Sequence, residues 1–476
     1  MKDLASADFD RLAGTASAAS RDGLPLPRRY RAIAAISFGT ALVVIDGTIA
    51  TVALPTIARD LGVAGSAAVL VVTVYQLALV MTLLPFSALG DRIGHRRLYQ
   101  YGQFLFLVAT LLCFFARSLP FLLVVRVAQA LGAAASLSVS TAMIRTVYPA
   151  RQLGRGLGVN GVVVSSSGAL APTLGGFILG VAPWPWVFAM GAPLALLALL
   201  LGRALPDPEP HDAPYNLLGA LLCALTFGLV IGGLEALVHG SSPVVSAAIV
   251  VAGLVIGWIF VRRELGEKQP VMPVDLLGRP VFALSVAGAF TTFIASMTFL
   301  LSLPFRLQHE FGFSPGEVGA LIAPWPLTSL FVAPLAGALS DRFPAGLLGG
   351  IGMAIATAGL LLMAWLPADP AWIDIAWRMA LCGAGFGLFL SPNARLIIGS
   401  APRERAASAG GLISTTRLTG QTLGATLLAA LLALGIGGGS VPALLAAGLA
   451  MVAGLCSVAR LNPAIRNPPV QEIADI

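Results

Sequence analysis

Stretches of about twenty apolar residues follow one another along nearly the whole chain. A helix rises about 1.5 Å per residue, so each stretch is long enough to cross the roughly 30 Å hydrocarbon core of a bilayer. No water is available there to bond the backbone, and a helix satisfies its own N–H and C=O groups. Fourteen such helices are expected, at 32–55, 67–90, 98–116, 119–142, 156–180, 184–202, 216–237, 243–262, 281–304, 316–339, 346–366, 373–397, 407–434 and 441–459. Most connections between them are short, which makes neighbours antiparallel. Composition agrees: of 476 residues, 57% are hydrophobic and 11% charged, against about 25% charged in an ordinary soluble chain. The 53 glycines and 32 prolines lie inside apolar runs, where membrane helices tolerate both.

Fourteen crossings put both termini on one side. Of 29 Lys and Arg, 22 fall in the two tails and the loops after even-numbered spans. Three (Arg59, Arg117 and Arg306) fall on the opposite side, and four (Arg126, Arg378, Arg395 and Arg417) lie within spans. The positive-inside rule then places both termini in the cytoplasm. The same bias accounts for the net charge of +7 without nucleic acid. Residues 1–30 are polar and lack the early apolar core of a secretory signal, so a disordered cytoplasmic tail is expected there. Cys113, Cys223, Cys382 and Cys456 fall in apolar segments without metal spacing. His95, His211, His239 and His309 scatter over loops and helix ends, so neither metal nor cofactor is expected.

The chain also repeats itself. "GDRIGHRR" (90–97) returns weakly as "SDRFPAG" (340–346), with Asp91-Arg92 and Asp341-Arg342 250 residues apart. "VRVAQALGAAASLS" (125–138) matches "WRMALCGAGFGLFLS" (377–391), with Arg126 and Arg378 offset by 252. Pro149 and Pro402 are offset by 253. Three ordered matches at a nearly constant offset imply two parallel six-helix repeats related by an axis along the membrane normal. The expected organisation is a tail (1–30), a first bundle (31–203), an inserted pair of helices (204–265), a second bundle (266–460) and a tail (461–476).

Four stretches carry a family likeness. "IDGTIATVALPTIARDL" (45–61), "GDRIGHRR" (90–97), "VRVAQALGAA" (125–134) and "SGALAPTLGG" (167–176) together resemble signatures of the major facilitator superfamily, in particular its fourteen-helix drug:proton antiporter branch. The likeness spans about residues 30 to 460 and implies the all-α major-facilitator fold. It implies that Asp91 and the basic Arg92, Arg96 and Arg97 latch helix ends through Arg–carboxylate pairing, around a tight turn at Gly94, with Asp341 and Arg342 repeating the device. It also implies an antiporter role for the fifth span, through Gly168, Pro172, Gly175 and Gly176; Ala171 stands where the family has a glycine. Small residues there let helices approach closely and Pro bends the helix. The thirteenth span lacks the acid that some multidrug relatives carry.

Transport needs a site reachable from each side in turn and a group whose proton occupancy biases the two states. Asp46 is the one acid well inside a first-half span. A charge at mid-bilayer depth costs roughly 2.5–3.5 kcal/mol on insertion scales. The resemblance makes it the proton-linked residue; read locally, it is equally an ion-pair anchor. Arg126 shares that environment. Glu235 and Asp374, near outer helix ends, are either further coupling acids or solvated termini. Arg417 is expected to be structural, satisfied by Ser414, Thr415 and Thr419. By resemblance the first, fourth, ninth and twelfth spans line the substrate cavity, which offers Asp46, Tyr75, Phe290, Phe293, Met297, Phe299, Phe386, Phe389 and Asn393. Aromatic and Met surfaces suit greasy, often cationic molecules. The resulting expectation is a proton-coupled exporter of hydrophobic or amphipathic compounds, working as a monomer in a lipid bilayer with protons and a small molecule as partners. Proton-coupled uptake of a metabolite is the alternative. No loop is long enough for a catalytic domain, and no nucleophile–base constellation suggests an enzyme.

Overall fold

The computed structural model describes residues 23–149, 152–206, 216–266, 274–340, 342–400 and 406–462. Most of both expected tails, Asp341, His211 and the basic residues Arg151, Lys268, Arg403 and Arg405 lie outside the described residues. In chain order the helices are α1 (Leu26–Leu61), α2 (Gly65–Ile93), α3 (His95–Leu112), α4 (Leu119–Val147), α5 (Leu153–Val181), α6 (Pro185–Ala189), α7 (Gly191–Leu201), α8 (Leu217–Val238) and α9 (Pro243–Glu264). There follow α10 (Pro280–His309), α11 (Pro315–Ile322), α12 (Pro324–Leu339), α13 (Ala345–Ala364), α14 (Trp372–Ser400), α15 (Ala406–Ala433) and α16 (Val441–Ala459). No strand occurs among the described residues.

Among the described residues, twelve helical segments are long and apolar enough to cross a membrane, counting α6 with α7 (Pro185–Ala204) and α11 with α12 (Pro315–Leu339) as single segments. Helices α5 and α15 overlie the other two expected spans, 156–180 and 407–434. Proline opens α6, α9, α10, α11 and α12 at the first turn, where its missing N–H has no helical partner to lose. Ser314 and Glu317 add a capping box at α11, satisfying donors that hydrocarbon could not. Gly94 turns α2 directly into α3 at φ 98°, a conformation a Cβ would strain.

Helices α1 to α7 pack chiefly among themselves, and so do α10 to α16. Within the first set, α3 and α4 approach so closely that a Cβ on Gly102 would lie 2.7 Å from the Gly132 carbonyl oxygen, and one on Gly132 2.6 Å from that of Gly102. The second set repeats the contact between α13 and α14, with a Cβ on Gly352 reaching 2.8 Å from the Gly385 oxygen. The sequence offset thus reappears as the same backbone contact in both sets. The sets meet where α2 faces α15, where α5 faces α11 and α12, and where α1 faces α10. Helix α8 lies over the α2–α15 seam, while α9 packs mainly on α8 and turns Val251, Leu254, Val255 and Trp258 outward, as a lipid-facing helix does.

Candidate functional site

A cavity of about 130 Å³ lies where the seams converge. Both sets of helices line it: Thr48 and Thr51 from α1, Tyr75 and Gln76 from α2, Met297 from α10, Arg417 and Gln421 from α15. It is close to the size that holds a single aromatic ring, about 150 Å³, and below the 300–1,000 Å³ of drug-sized pockets.

Asp46 stands behind the cavity wall, next in sequence to the lining residue Gly47. Its carboxylate accepts a hydrogen bond from Arg126 Nη1 at 2.7 Å, and both side chains are buried, at 3% and 0% exposure. Three further contacts fix the guanidinium. Nε donates to the Val71 carbonyl at 3.1 Å, Nη1 also donates to Gln129 Oε1 at 2.9 Å, and the Tyr75 ring lies 4.1 Å from Cζ. Gln129 in turn donates to Thr110 at 3.0 Å. Arg126 therefore ties α4 to α1 and α2, and Tyr75 has one surface on the ion pair while lining the cavity.

The other expected coupling acids part ways. Glu235, on α8, is 8% exposed; it accepts from Thr426 of α15 at 2.5 Å and sits 3.5 Å from His239. The inserted helix is thus pinned to the second set by a buried carboxyl, so Glu235 is not a solvated terminus. Asp374 is the opposite case: it caps the start of α14, accepting from the Ala371 N–H and from Arg378 one turn on, at the surface.

Of the expected cavity residues, Tyr75 and Met297 line it. Phe290 and Phe293 are not among its lining residues; the Phe290 carbonyl oxygen and the Phe293 Cβ lie against Gly420, in the α10–α15 contact. Phe299 stacks on Trp325 at 5.7 Å, and Phe386 meets the same indole at 4.5 Å. Phe389 fills the space beside Gly288 and Gly349. Asn393 donates to the Ser285 carbonyl at 3.0 Å and accepts from Arg460 at 2.6 Å. Phe299, Phe386 and Phe389 share one buried cluster with Trp325, into which Val52 of α1 also packs, so they are core rather than cavity lining.

The motif residues also find places. Asp91 pairs with His95 at 2.8 Å, at an exposed helix end where Arg92 and Arg97 are exposed too; Arg342 is likewise exposed. On α5, Gly175 admits Ile49 of α1, since a Cβ there would lie 2.8 Å from Ile49 Cγ1, while Gly168 faces Val44. Pro172 and Gly176 face α11: a Cβ on Gly176 would lie 2.8 Å from both the Gly319 Cα and the Pro315 oxygen. The small-residue face of α5 is therefore a seam between the two sets. Arg417 does not find the expected local partners; the Thr419 hydroxyl has none of its own, and the guanidinium lines the cavity. The lining residues Gln76, Thr48 and Gln421 were not singled out from the sequence, where isolated polar residues in apolar helices were the available signal. Among the described residues no cluster of three metal-ligating side chains occurs.

The profile of the Major Facilitator Superfamily matches residues 36–425 and, separately, 285–472. The uncharacterized transporter YebQ of Escherichia coli (strain K12) is 47% identical over 445 residues, which span 93% of this chain and 97% of YebQ. The riboflavin transporter RibZ of Clostridioides difficile (strain 630) is 28% identical over 84% of this chain and 87% of its own length. The methyl viologen resistance protein SmvA of Salmonella typhimurium is 30% identical over 82% and 80%. A solved POT family transporter in complex with a thioalcohol-conjugated peptide superposes with a TM-score of 0.69 at 16% identity, over 92% of this chain and 96% of that one, a likeness of fold.

Proposed function

Because this chain belongs to the major facilitator superfamily, we propose that it is a proton-coupled antiporter of the fourteen-helix drug:proton branch, exporting hydrophobic or amphipathic small molecules by alternating access. The observation that carries the reading is the buried Asp46–Arg126 pair behind a cavity built from both helix sets. A proton on Asp46 removes the attraction that holds Arg126, and Tyr75, packed on that guanidinium, transmits the change to the cavity wall. Proton and substrate then act on one element from opposite sides, which is the condition for coupling: a ligand shifts a two-state equilibrium only by its differential affinity for the states. The proton gradient supplies the drive without a cofactor. The chain works as a monomer in a bacterial inner membrane with both termini in the cytoplasm.

Relatives named for drug resistance support export, SmvA among them. The similarity to a riboflavin transporter supports the second reading, proton-coupled uptake of a metabolite. Direction decides. In proteoliposomes with an imposed pH gradient, the antiporter moves substrate against the proton flow and the symporter moves it along. A broad compound panel with no pH-driven movement in either direction would overturn both.

A further inference from the structure

Each other arginine buried in the bundle is answered by protein. Arg126 has Asp46, Val71 and Gln129. Arg306 has Glu310 and the Met363 carbonyl. Arg460 has Asn393, Ser285 and Ser457. Arg417, midway along α15, is different. It lines the central cavity, and among the described residues no carboxylate or hydrogen-bond acceptor pairs with its guanidinium. A charge at membrane depth that no protein group pairs is costly, and such residues mark substrate and ion pathways.

The same wall holds a further unanswered group. Gln76 Oε1 makes no hydrogen bond among the described residues, although the side chain is only 4% exposed. Tyr75 lines the cavity beside it, with its hydroxyl against Asp46. Leu79, Met297, Leu300 and Ile322 add apolar surface, beside Thr48, Thr51, Ser296 and Gln421. Arg417 is also the one charged residue of the lining, because Asp46 is occupied by Arg126. The cavity thus presents a positive fork, uncharged hydrogen-bonding side chains and an apolar surface about one ring system in size.

We propose that Arg417 is the docking point for an anionic oxygen group, a carboxylate or phenolate, carried on a flat apolar body by the transported molecule. The guanidinium fork matches two oxygens at once, Gln76 holds a further polar atom of the ring system, and Met297 and Leu300 cover its faces. The proposal rests on the transporter reading of this cavity and sharpens it: the substrate is an acid rather than a cationic drug.

The test uses a matched pair of probes, 2-naphthoate and 2-naphthylmethylammonium, titrated calorimetrically into the purified full-length protein in lipid nanodiscs. Wild type is expected to bind the carboxylate about tenfold or more tightly than the ammonium. Arg417→Gln should remove that preference, while Arg417→Lys, which keeps charge but not the fork, should retain part of it. Should Arg417→Gln fail to fold, Arg417→Lys carries the test, weakening the carboxylate and leaving the ammonium unchanged. Equal or reversed preference in wild type, or undiminished carboxylate affinity in a folded Arg417→Gln, overturns the proposal. Proteoliposome flux of the same probes separates it from the export reading. If 2-naphthylmethylammonium is driven out by protons and 2-naphthoate does not bind, export stands and the anion site falls. If 2-naphthoate binds through Arg417 and no proton-driven flux occurs, the site stands and proton-driven export falls.

Discussion

Arg126 on α4 and Arg378 on α14 hold corresponding places in the two repeats, 252 residues apart. The first is fully buried and reaches a carboxylate on another helix. The second reaches Asp374 on its own helix, one turn back, with that acid 36% exposed. One interaction links three helices beside the cavity; the other is a local pair at a helix end. Duplicated helices therefore do not imply duplicated chemistry. The first set carries the buried ion pair on which the proposed coupling rests, and the second is packed around Phe299, Trp325 and Phe386.

The comparison can be broken most forcefully at Arg126. Arg126→Ala strands a buried carboxylate and is expected to cost about 3–5 kcal/mol, seen as a large fall in unfolding temperature of the purified protein. Arg378→Ala should cost under about 1 kcal/mol by the same assay. Equal losses would erase the distinction between the sets. The seam comes next. Gly176→Ala forces a Cβ against the α11 backbone, with an expected cost of about 1–3 kcal/mol. Cysteine labelling at the neighbouring end of α5 should rise as the sets part. Gly180→Ala is the control, since nothing lies within 4 Å of its Cβ position; equal labelling in the two variants would remove the seam's role. A smaller effect is expected at Glu235. Glu235→Gln keeps an acceptor for Thr426 and should lose about 1 kcal/mol or less, whereas Glu235→Ala removes the bond between the helices, leaves the hydroxyl only its own-helix Thr422 carbonyl, and should lose more.

The helices were legible because hydrocarbon imposes a length, and the repeat because Arg126–Arg378 and Pro149–Pro402 kept their spacing. Gly94 was legible as a turn for a local reason: only glycine suits the required φ. Which face each helix turns inward was not legible. In a water-soluble helix the polar face marks solvent, but here lipid and core are both apolar, so no stripe separates them. That is why Phe299, Phe386 and Phe389 read as cavity residues and proved to be core, and why Gln76 and Gln421 passed unnoticed. Charges were better guides, yet their partners lay on other helices: the sequence showed that Asp46 and Arg126 were costly, not that they were 2.7 Å apart. Arg417 misled in the other direction, since nearby hydroxyls suggested local satisfaction that the folded helix does not provide.

The central claim is that the coupling proton acts through Asp46 in the first set and not through Asp374 in the second. The direct measurement is pH-gradient-driven substrate flux in proteoliposomes of Asp46→Asn and Asp374→Asn, run beside wild type with each variant's substrate exchange as the control for folding. Asp46→Asn should retain exchange and lose gradient-driven flux, while Asp374→Asn should match wild type within about twofold. Gradient-driven flux that survives in Asp46→Asn, or disappears in Asp374→Asn, would contradict the claim.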